Sequence, residues 1–172
     1  MNDSDDRERI SNLRWFHSID FGAELVSSGE VSLEVLNKQA DIYFKKDITG
    51  LSVLDVGAWD GFNSFEAKRR GASHVLATDY HAWSHSDRGW GDKACFDLAK
   101  RLLTHEIDEM IIDIPDINID TVGQFDIVLF LGVFYHLKEL ASQVNPVGPP
   151  AGFEDPGAGA TGREINPATP SK

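Results

Sequence analysis

A glycine-containing turn and a later aspartate have the types and spacing of a site for an adenosine-containing ligand. The turn, DVGAWDG at 55–61, lies between an apolar run and a segment of helical pattern. Gly57 lets the chain turn tightly and lets the backbone approach a ligand, and Gly61 lets the next helix begin close to the strand. Asp79 follows Gly61 by 18 residues, near the roughly 20 expected for a carboxylate that binds ribose hydroxyls.

The charge inside this turn favours a cationic ligand over a dinucleotide. Dinucleotide sites prefer the spacing G-x-G-x-x-G, whereas this chain has G-x-x-x-G with Asp60 inside the turn. A carboxylate there repels a pyrophosphate, but it tolerates or attracts the ammonium and sulfonium charges of S-adenosylmethionine. We therefore expect S-adenosylmethionine as the cofactor, and a nicotinamide-dependent oxidoreductase is the less favoured hypothesis.

The segments around the turn alternate between strand-like and helix-like patterns. Strands are expected at 52–56, 74–78, 110–112 and 125–131, and helices at 62–70, at 92–105 and after a cap at Ser32. Strands that alternate with helices pair in parallel, with helices on both faces of the sheet. The almost continuous apolar run at 127–131 predicts a central strand that is buried on both sides.

The composition separates a body from a tail. The chain has 172 residues, a net charge of −12 and one cysteine, Cys95, which excludes a generally basic nucleic-acid binder and an internal disulfide framework. We predict a folded domain at 10–140, frayed residues before it, and a disordered tail rich in proline and glycine at 141–172. The polar N-terminus and the lack of an apolar run of ~20 residues predict a cytoplasmic chain with no membrane span.

Two longer stretches resemble a known enzyme family. LSVLDVGAWDGFNSFEAKRRGASHVLATD at 51–79 and FDIVLFLGVFYHLKE at 125–139 are similar to class I S-adenosylmethionine-dependent methyltransferases. Within that class they resemble the branch of the wobble-uridine tRNA methyltransferases, as does WFHSI at 15–19. The resemblance implies an α/β, Rossmann-like methyltransferase fold, methyl transfer from S-adenosylmethionine, and either tRNA or a small molecule as acceptor.

The resemblance also implies roles near the methionine part of the cofactor. The backbone at Gly57 and Gly61 would approach it, Asp55 would bind near its amino group or orient the loop, and Asp60 would add to that. Both glycines could instead serve turn geometry alone.

On the adenosine side, the resemblance implies that Asp79 binds the ribose hydroxyls and that Tyr80 lies against adenine. Asp113 would accept a hydrogen bond from the adenine amino group, and the Ile114 N–H would bind the ring. The alternatives are that Asp79 only caps the next segment, that Tyr80 is a surface aromatic, and that Asp113 belongs to a solvated loop.

The resemblance also implies that Gly132 and the segment VFYH at 133–136 face the methyl group that is transferred, with Tyr135 and His136 as the candidate catalytic residues. His136 is the candidate base, because a histidine can titrate near neutral pH and because it follows the fourth strand, where open α/β sheets bind ligands. Both residues could instead be buried in the core.

The end of the chain departs from the family pattern. The family sheet has seven strands, whereas four can be identified here and 141–172 contains no strand-like run. The fourth strand would then lie at an edge and invite self-association, and the acceptor half of the site would be missing. The alternative hypothesis is therefore an inactive, truncated methyltransferase-like remnant or an interaction module. The acidic charge favours a small molecule over tRNA, and the resemblance favours tRNA.

Overall fold

A computed structural model describes residues 3–84 and 92–133 of the chain. The α-helices are α1 (Asp3–Asn12), α2 (Leu33–Tyr43), α3 (Phe62–Arg69), α4 (His81–Ser84), α5 (Ala94–Leu103) and α6 (Ile119–Val122), with a 3₁₀ helix at Ile114–Asp116. The strands are β1 (Trp15–His17), β2 (Gly29–Val31), β3 (Ser52–Val56), β4 (His74–Asp79), β5 (Asp108–Ile111) and β6 (Ile127–Phe130). Tyr135, His136 and the predicted tail at 141–172 lie outside the described residues.

Four strands form a parallel sheet in the order β5-β4-β3-β6. The chain leaves β3 for β4 on one side, and it later returns to the other side of β3 as β6. The strand order therefore reverses at β3, and the carboxyl ends of parallel strands at such a point form a crevice that suits a ligand. The predicted α/β fold, with a parallel sheet of four strands and flanking helices, is confirmed.

Alternate residues of the central strands pack on opposite faces of this sheet. Val53 and Val75 belong to a large apolar cluster that includes residues of α2, α3 and α5. Leu54 and Leu76 belong to a smaller cluster on the other face. This alternation follows from the two-residue period of a strand, and it accounts for the apolar runs of β3 and β4.

The apolar strand β6 is less buried than its sequence predicts. Leu129 is buried, but Val128, which pairs with Leu54 of β3, is 57% exposed. Among the described strands β6 pairs with β3 alone, so the prediction of a central strand buried on both sides is wrong for this part of the sheet. The expected self-association through β6 stays a prediction.

The N-terminal segment packs onto the body. The prediction that the first residues fray is wrong from Asp3 onward, where α1 begins. Ile10 is buried, its carbonyl accepts a hydrogen bond from Trp15 Nε1 at 2.9 Å, and Asp6 lies 3.8 Å from Arg101 of α5. These contacts with the body stabilise a helix whose own sequence is too polar to predict it. After α1, β1 pairs in parallel with β2.

None of the helices in the described part of the chain has both the length and the apolar character needed to cross a membrane.

Candidate ligand-binding site

The turn after β3 is held against the end of β4. The N–H groups of Gly57 and Ala58 both donate to the carbonyl oxygen of Thr78, at 2.8 and 3.0 Å. Gly57 has a φ of +78°, and a Cβ atom there would overlap the side chain of Val133. The glycine is therefore required both by the left-handed backbone and by the close approach of the segment that follows β6.

Gly61 permits close packing at the start of α3. Its φ is +88°, and a Cβ atom would lie 2.6 Å from ring carbons of Phe65 and Phe96. Both rings belong to the large apolar cluster. This agrees with the role expected from the sequence, in which glycine lets the helix begin close to the strand.

Asp55 acts within the fold. Its carboxylate is 1% exposed and accepts a hydrogen bond from the Ser64 hydroxyl at 2.6 Å. Burial raises the pKa of Asp55 to about 6. The contact joins β3 to α3, which fits the loop-orienting role rather than direct binding of a ligand.

Asp60 is also directed into the protein. Its Oδ2 atom accepts the backbone N–H groups of Phe16 at 2.7 Å and His17 at 2.9 Å. Burial raises the pKa of Asp60 to about 6. The carboxylate that was expected to add to methionine binding thus fastens β1 to the turn.

Asp79 both supports the turn and reaches a cavity. Its Oδ2 accepts the Trp59 N–H at 3.0 Å, and its Oδ1 accepts the Ala82 N–H at 2.8 Å, which caps α4. Burial raises the pKa of Asp79. Asp79 thus caps the next segment and also lines the cavity beside the turn, and the expectation that it binds the ribose hydroxyls stays a prediction.

The cavity has a volume of about 170 Å³ and lies at the point where the strand order reverses. Its described walls are Phe16, His17, Gly57, Trp59, Asp79, His81, Ala82, Leu131, Gly132 and Val133. They come from β1, from the turn after β3, from the end of β4, from α4 and from the segment after β6. Lysine and arginine are absent from this set, so the charge that these residues contribute is that of Asp79 and any protonated histidine.

The N-terminal segment contributes an aromatic wall. The rings of Phe16 and Trp59 are stacked, with centroids 4.2 Å apart and planes inclined by 5°. His17 meets the Trp59 ring edge-on at 6.2 Å, and burial lowers the pKa of His17 to about 4. The sequence drew attention to this segment through family resemblance alone, and no spacing rule connects His17 to a turn 40 residues later.

Comparisons with known proteins find neither a matching family model nor a matching characterised protein. Solved structures with a similar fold include EvdMO1, with a TM-score of 0.54 and 16% identity over 78% of this chain and 30% of that one. The N-terminal domain of EvdMO1, solved in the presence of SAH and D-fucose, has a TM-score of 0.53 and 14% identity over 74% of this chain and 52% of that one. These structures share the α/β fold of this chain, a parallel sheet with flanking helices.

The likeness has a limited extent. This chain spans about half the length of the EvdMO1 N-terminal domain and less than a third of the longer EvdMO1 structure. Protein arginine methyltransferase 10 from Arabidopsis thaliana matches more loosely, with a TM-score of 0.39 and 21% identity over 55% of this chain and 25% of that one, and no conclusion rests on it. At these identities the likeness establishes the fold alone.

Three residues predicted on the adenosine side do not line the cavity. Tyr80 is 39% exposed. Asp113 is exposed and accepts the N–H of Ile114 at 2.8 Å, which starts the 3₁₀ helix after β5. All three residues follow the carboxyl ends of β4 and β5, at the same edge of the sheet as the cavity. Their predicted roles toward adenine stay predictions, as do those of Tyr135 and His136.

Proposed function

We propose that this chain binds S-adenosylmethionine and promotes transfer of its methyl group to a hydroxyl group of a small molecule. The observation that carries the proposal is the position of Asp79, a buried carboxylate in the wall of a cavity at the reversal point of a parallel sheet. Gly57 and Trp59 of the turn lie in the same wall.

The carboxylate of Asp79 suits a ribose. Its oxygens accept the backbone N–H groups of Trp59 and Ala82, and the backbone of His81 is a third hydrogen-bond donor to the carboxylate. A carboxylate offers about four acceptor positions in total, so one position stays available for a ribose hydroxyl. The backbone bonds hold the side chain in one orientation, so little entropy is lost when it binds.

The charge of the site suits a sulfonium rather than a pyrophosphate. Asp79 lines the cavity, Asp55 and Asp60 lie buried behind the turn, and no described wall residue is a lysine or arginine. A pyrophosphate would meet uncompensated negative charge, whereas a sulfonium would be stabilised by it. The same charge distribution disfavours a nicotinamide cofactor, because such a cofactor contains a pyrophosphate.

The cavity holds part of such a ligand. Its volume of about 170 Å³ is below the roughly 300–1,000 Å³ of pockets that enclose a drug-sized ligand. We place the ribose and the sulfonium beside Asp79 and the turn. The adenine would extend along the sheet edge toward Tyr80 and Asp113, which are not among the described walls of the cavity.

Bound S-adenosylmethionine would supply a methyl group that is activated by the positive sulfur. The contribution of the protein is then to hold the acceptor in line with that methyl group and to exclude water, and proximity supplies much of the rate. The stacked rings of Phe16 and Trp59 form an apolar wall that serves this purpose.

A small acceptor is favoured over RNA because several residues of the locally basic segments pair with acidic side chains. Arg69 and Arg70 of the cluster at 68–70 both pair with Glu66. Lys100 pairs with Glu109. Phosphate binding depends on positive charge that can replace counterions, and these pairs reduce it. A tRNA base, as in the resembled branch, is the second candidate and is favoured by the WFHSI segment.

A hydroxyl acceptor is suggested by the structure of similar fold. The N-terminal domain of EvdMO1 was solved with D-fucose as well as SAH, and the only polar groups of a free sugar are hydroxyl and ring oxygens. We propose a hydroxyl acceptor for this chain by analogy with the D-fucose in that structure.

Calorimetric titration with S-adenosylhomocysteine tests the proposal. We expect micromolar binding to the full chain and a loss of at least about tenfold in affinity for Asp79→Asn, since one good hydrogen-bonding group contributes about 1.4 kcal/mol or more. Asp108→Asn is the matched control, because Asp108 is an exposed aspartate on the neighbouring strand whose partner is His74.

The alternatives give different results in the same titration. A folded chain that fails to bind S-adenosylhomocysteine contradicts the proposal and supports the inactive remnant. A chain that binds NADH more tightly supports the oxidoreductase hypothesis. Far-UV circular dichroism of each sample shows that the chain compared is folded.

A further inference from the structure

His17 combines two unusual properties at the cavity. The residue lines the cavity, yet its Nδ1 atom is buried and has no hydrogen-bond partner in the described part of the chain. Leaving a polar group buried without a partner costs about 1–3 kcal/mol. Such a group therefore calls for an explanation in function or in a small movement of the protein.

The nearest acidic atom to this nitrogen is Oδ2 of Asp60, at 3.9 Å. That oxygen is held in place by the backbone N–H groups of Phe16 and of His17 itself. A closure of roughly 1 Å would bring Nδ1–H within ordinary hydrogen-bond distance of this carboxylate, as a third donor beside the two backbone N–H groups. Such a bond places the ring proton on Nδ1 and leaves Nε2, at the opposite edge of the ring, with a free lone pair.

We propose that His17 is the base of the reaction suggested above, accepting the acceptor's hydroxyl proton at Nε2, and that Asp60 positions the ring through Nδ1. This inference rests on the proposed function. The hydroxyl loses its O–H bond to Nε2 and gains an O–C bond to the methyl group, whose bond to sulfur breaks with the electron pair staying on sulfur. The Asp60 carboxylate then faces the imidazolium, which later releases the proton to water.

The surroundings of His17 suit this role. Burial lowers the pKa of His17 to about 4, which keeps the ring neutral at pH 7 but makes it a weak base, so the closure onto the Asp60 carboxylate is needed to stabilise the imidazolium that forms. The edge-on contact with Trp59 and the neighbouring Phe62 ring limit rotation of the imidazole. His81 also lines the cavity but is exposed, so His17 is the histidine of the described wall that is shielded from water.

The position of the proton on the His17 ring tests the pairing of His17 with Asp60 without any cofactor. We would record nitrogen-15 spectra of the histidine rings of the labelled full chain at pH 7 and assign His17 by the signal that His17→Gln removes. We expect the proton on Nδ1 in the parent chain and a smaller fraction of that form in Asp60→Asn, which keeps an oxygen acceptor for the two backbone N–H groups. His74 is the internal control, because it pairs with Asp108 through Nε2 at 3.0 Å and should be unaffected.

Two spectroscopic results would overturn the inference. A parent chain with the proton on Nε2 would show that no lone pair faces the acceptor, and this holds even if Asp60→Asn fails to fold. A His17 spectrum that is unchanged in a folded Asp60→Asn chain would remove Asp60 from its positioning role.

Modification by diethyl pyrocarbonate, which acylates unprotonated imidazole nitrogens, gives a second readout. We expect His17 to be acylated in the folded chain, more slowly in Asp60→Asn, and at an unchanged rate in Asp108→Asn. Absence of acylation in the folded parent chain would show that Nε2 is not accessible from the cavity and would contradict the proposal. Whether S-adenosylhomocysteine protects His17 from acylation is a separate question. A lack of protection would count against the proposed function and not against the pairing of His17 with Asp60.

Discussion

The Oδ2 atom of Asp60 lies 2.7 Å from the backbone nitrogen of Phe16, although 44 positions separate these residues in the chain. The same oxygen accepts the N–H of His17. One carboxylate thereby ties β1 to the turn after β3 and brings the Phe16 ring onto Trp59. The aromatic wall of the cavity depends on this link.

Replacement of Asp60 by alanine tests the strength of the link. We expect Asp60→Ala to lower the free energy of unfolding by about 2–6 kcal/mol, because two part-buried N–H groups lose their acceptor at roughly 1–3 kcal/mol each. Asp60→Asn should cost less, since an amide oxygen can still accept both. Urea denaturation measures the difference.

The control for that experiment is Asp47→Ala. Asp47 also accepts a backbone N–H, from Thr49 at 2.9 Å, but it is exposed, so its loss should cost under about 1 kcal/mol. A loss for Asp60→Ala as small as that of the control would show that water replaces the bonds and that the link is weak.

Two glycines with similar backbones should respond differently to alanine. Gly61 and Gly50 have φ values of +88° and +80°, but a Cβ atom at Gly61 would meet Phe65 and Phe96, whereas one at Gly50 would meet open space. We expect Gly50→Ala to cost about 1–2 kcal/mol from the backbone alone. Gly61→Ala should cost about 1–3 kcal/mol more, from overpacking. Equal thermal stability of the two variants would contradict the packing role of Gly61.

The dependence of stability on pH should change when His17 is removed. Burial lowers the pKa of His17 from 6.5 to about 4, so between these values the unfolded chain binds a proton that the folded chain does not. The stability that the neutral ring contributes is therefore present above pH 6.5 and lost as the pH falls to 4. The stability of the parent chain relative to His17→Gln should fall by about 3 kcal/mol over this window, at 1.36 kcal/mol per pKa unit.

Asp55 and Asp60 act in the opposite direction over nearly the same window. Burial raises the pKa of each from 3.8 to about 6, so their contribution is fullest below pH 3.8 and is lost as the pH rises through 6. The difference between the parent chain and His17→Gln in urea at each pH isolates the histidine. A difference that does not change between pH 4 and 6.5 would mean that His17 is hydrated in the folded chain.

Cys95 should be unreactive in the folded protein. It is buried, its Sγ lies 3.3 Å from the Arg14 carbonyl oxygen, and burial raises the pKa of the thiol to about 12. Because the thiolate is the reactive form, a thiol reagent at pH 8 should label Cys95 at a rate set by unfolding, rising with urea. Rapid labelling in buffer without urea would show that α5 opens locally.

The elements that carry the site could be predicted from the sequence. The strand at 52–56 and the helix that begins at Phe62 are present with the expected starting residues, because apolar periodicity and glycine turns are local signals. The placement of Gly57 and Asp79 at one edge followed as well, since parallel strands bring their carboxyl ends together. The partial exposure of β6 could not be predicted from the sequence, because exposure of a strand depends on which strands lie beside it.

By itself, then, the sequence determined the alternation of strands and helices, the parallel sheet and the position of the turn beside Asp79. The tertiary structure alone decided the direction in which each acidic side chain points. Asp55 and Asp60 turn inward to Ser64 and to β1, whereas Asp79 reaches the cavity. The burial of His17 beside Asp60 is likewise a tertiary result. Side-chain partners of this kind are set by contacts between segments that are distant in the chain, and local propensity and residue spacing contain no information about them.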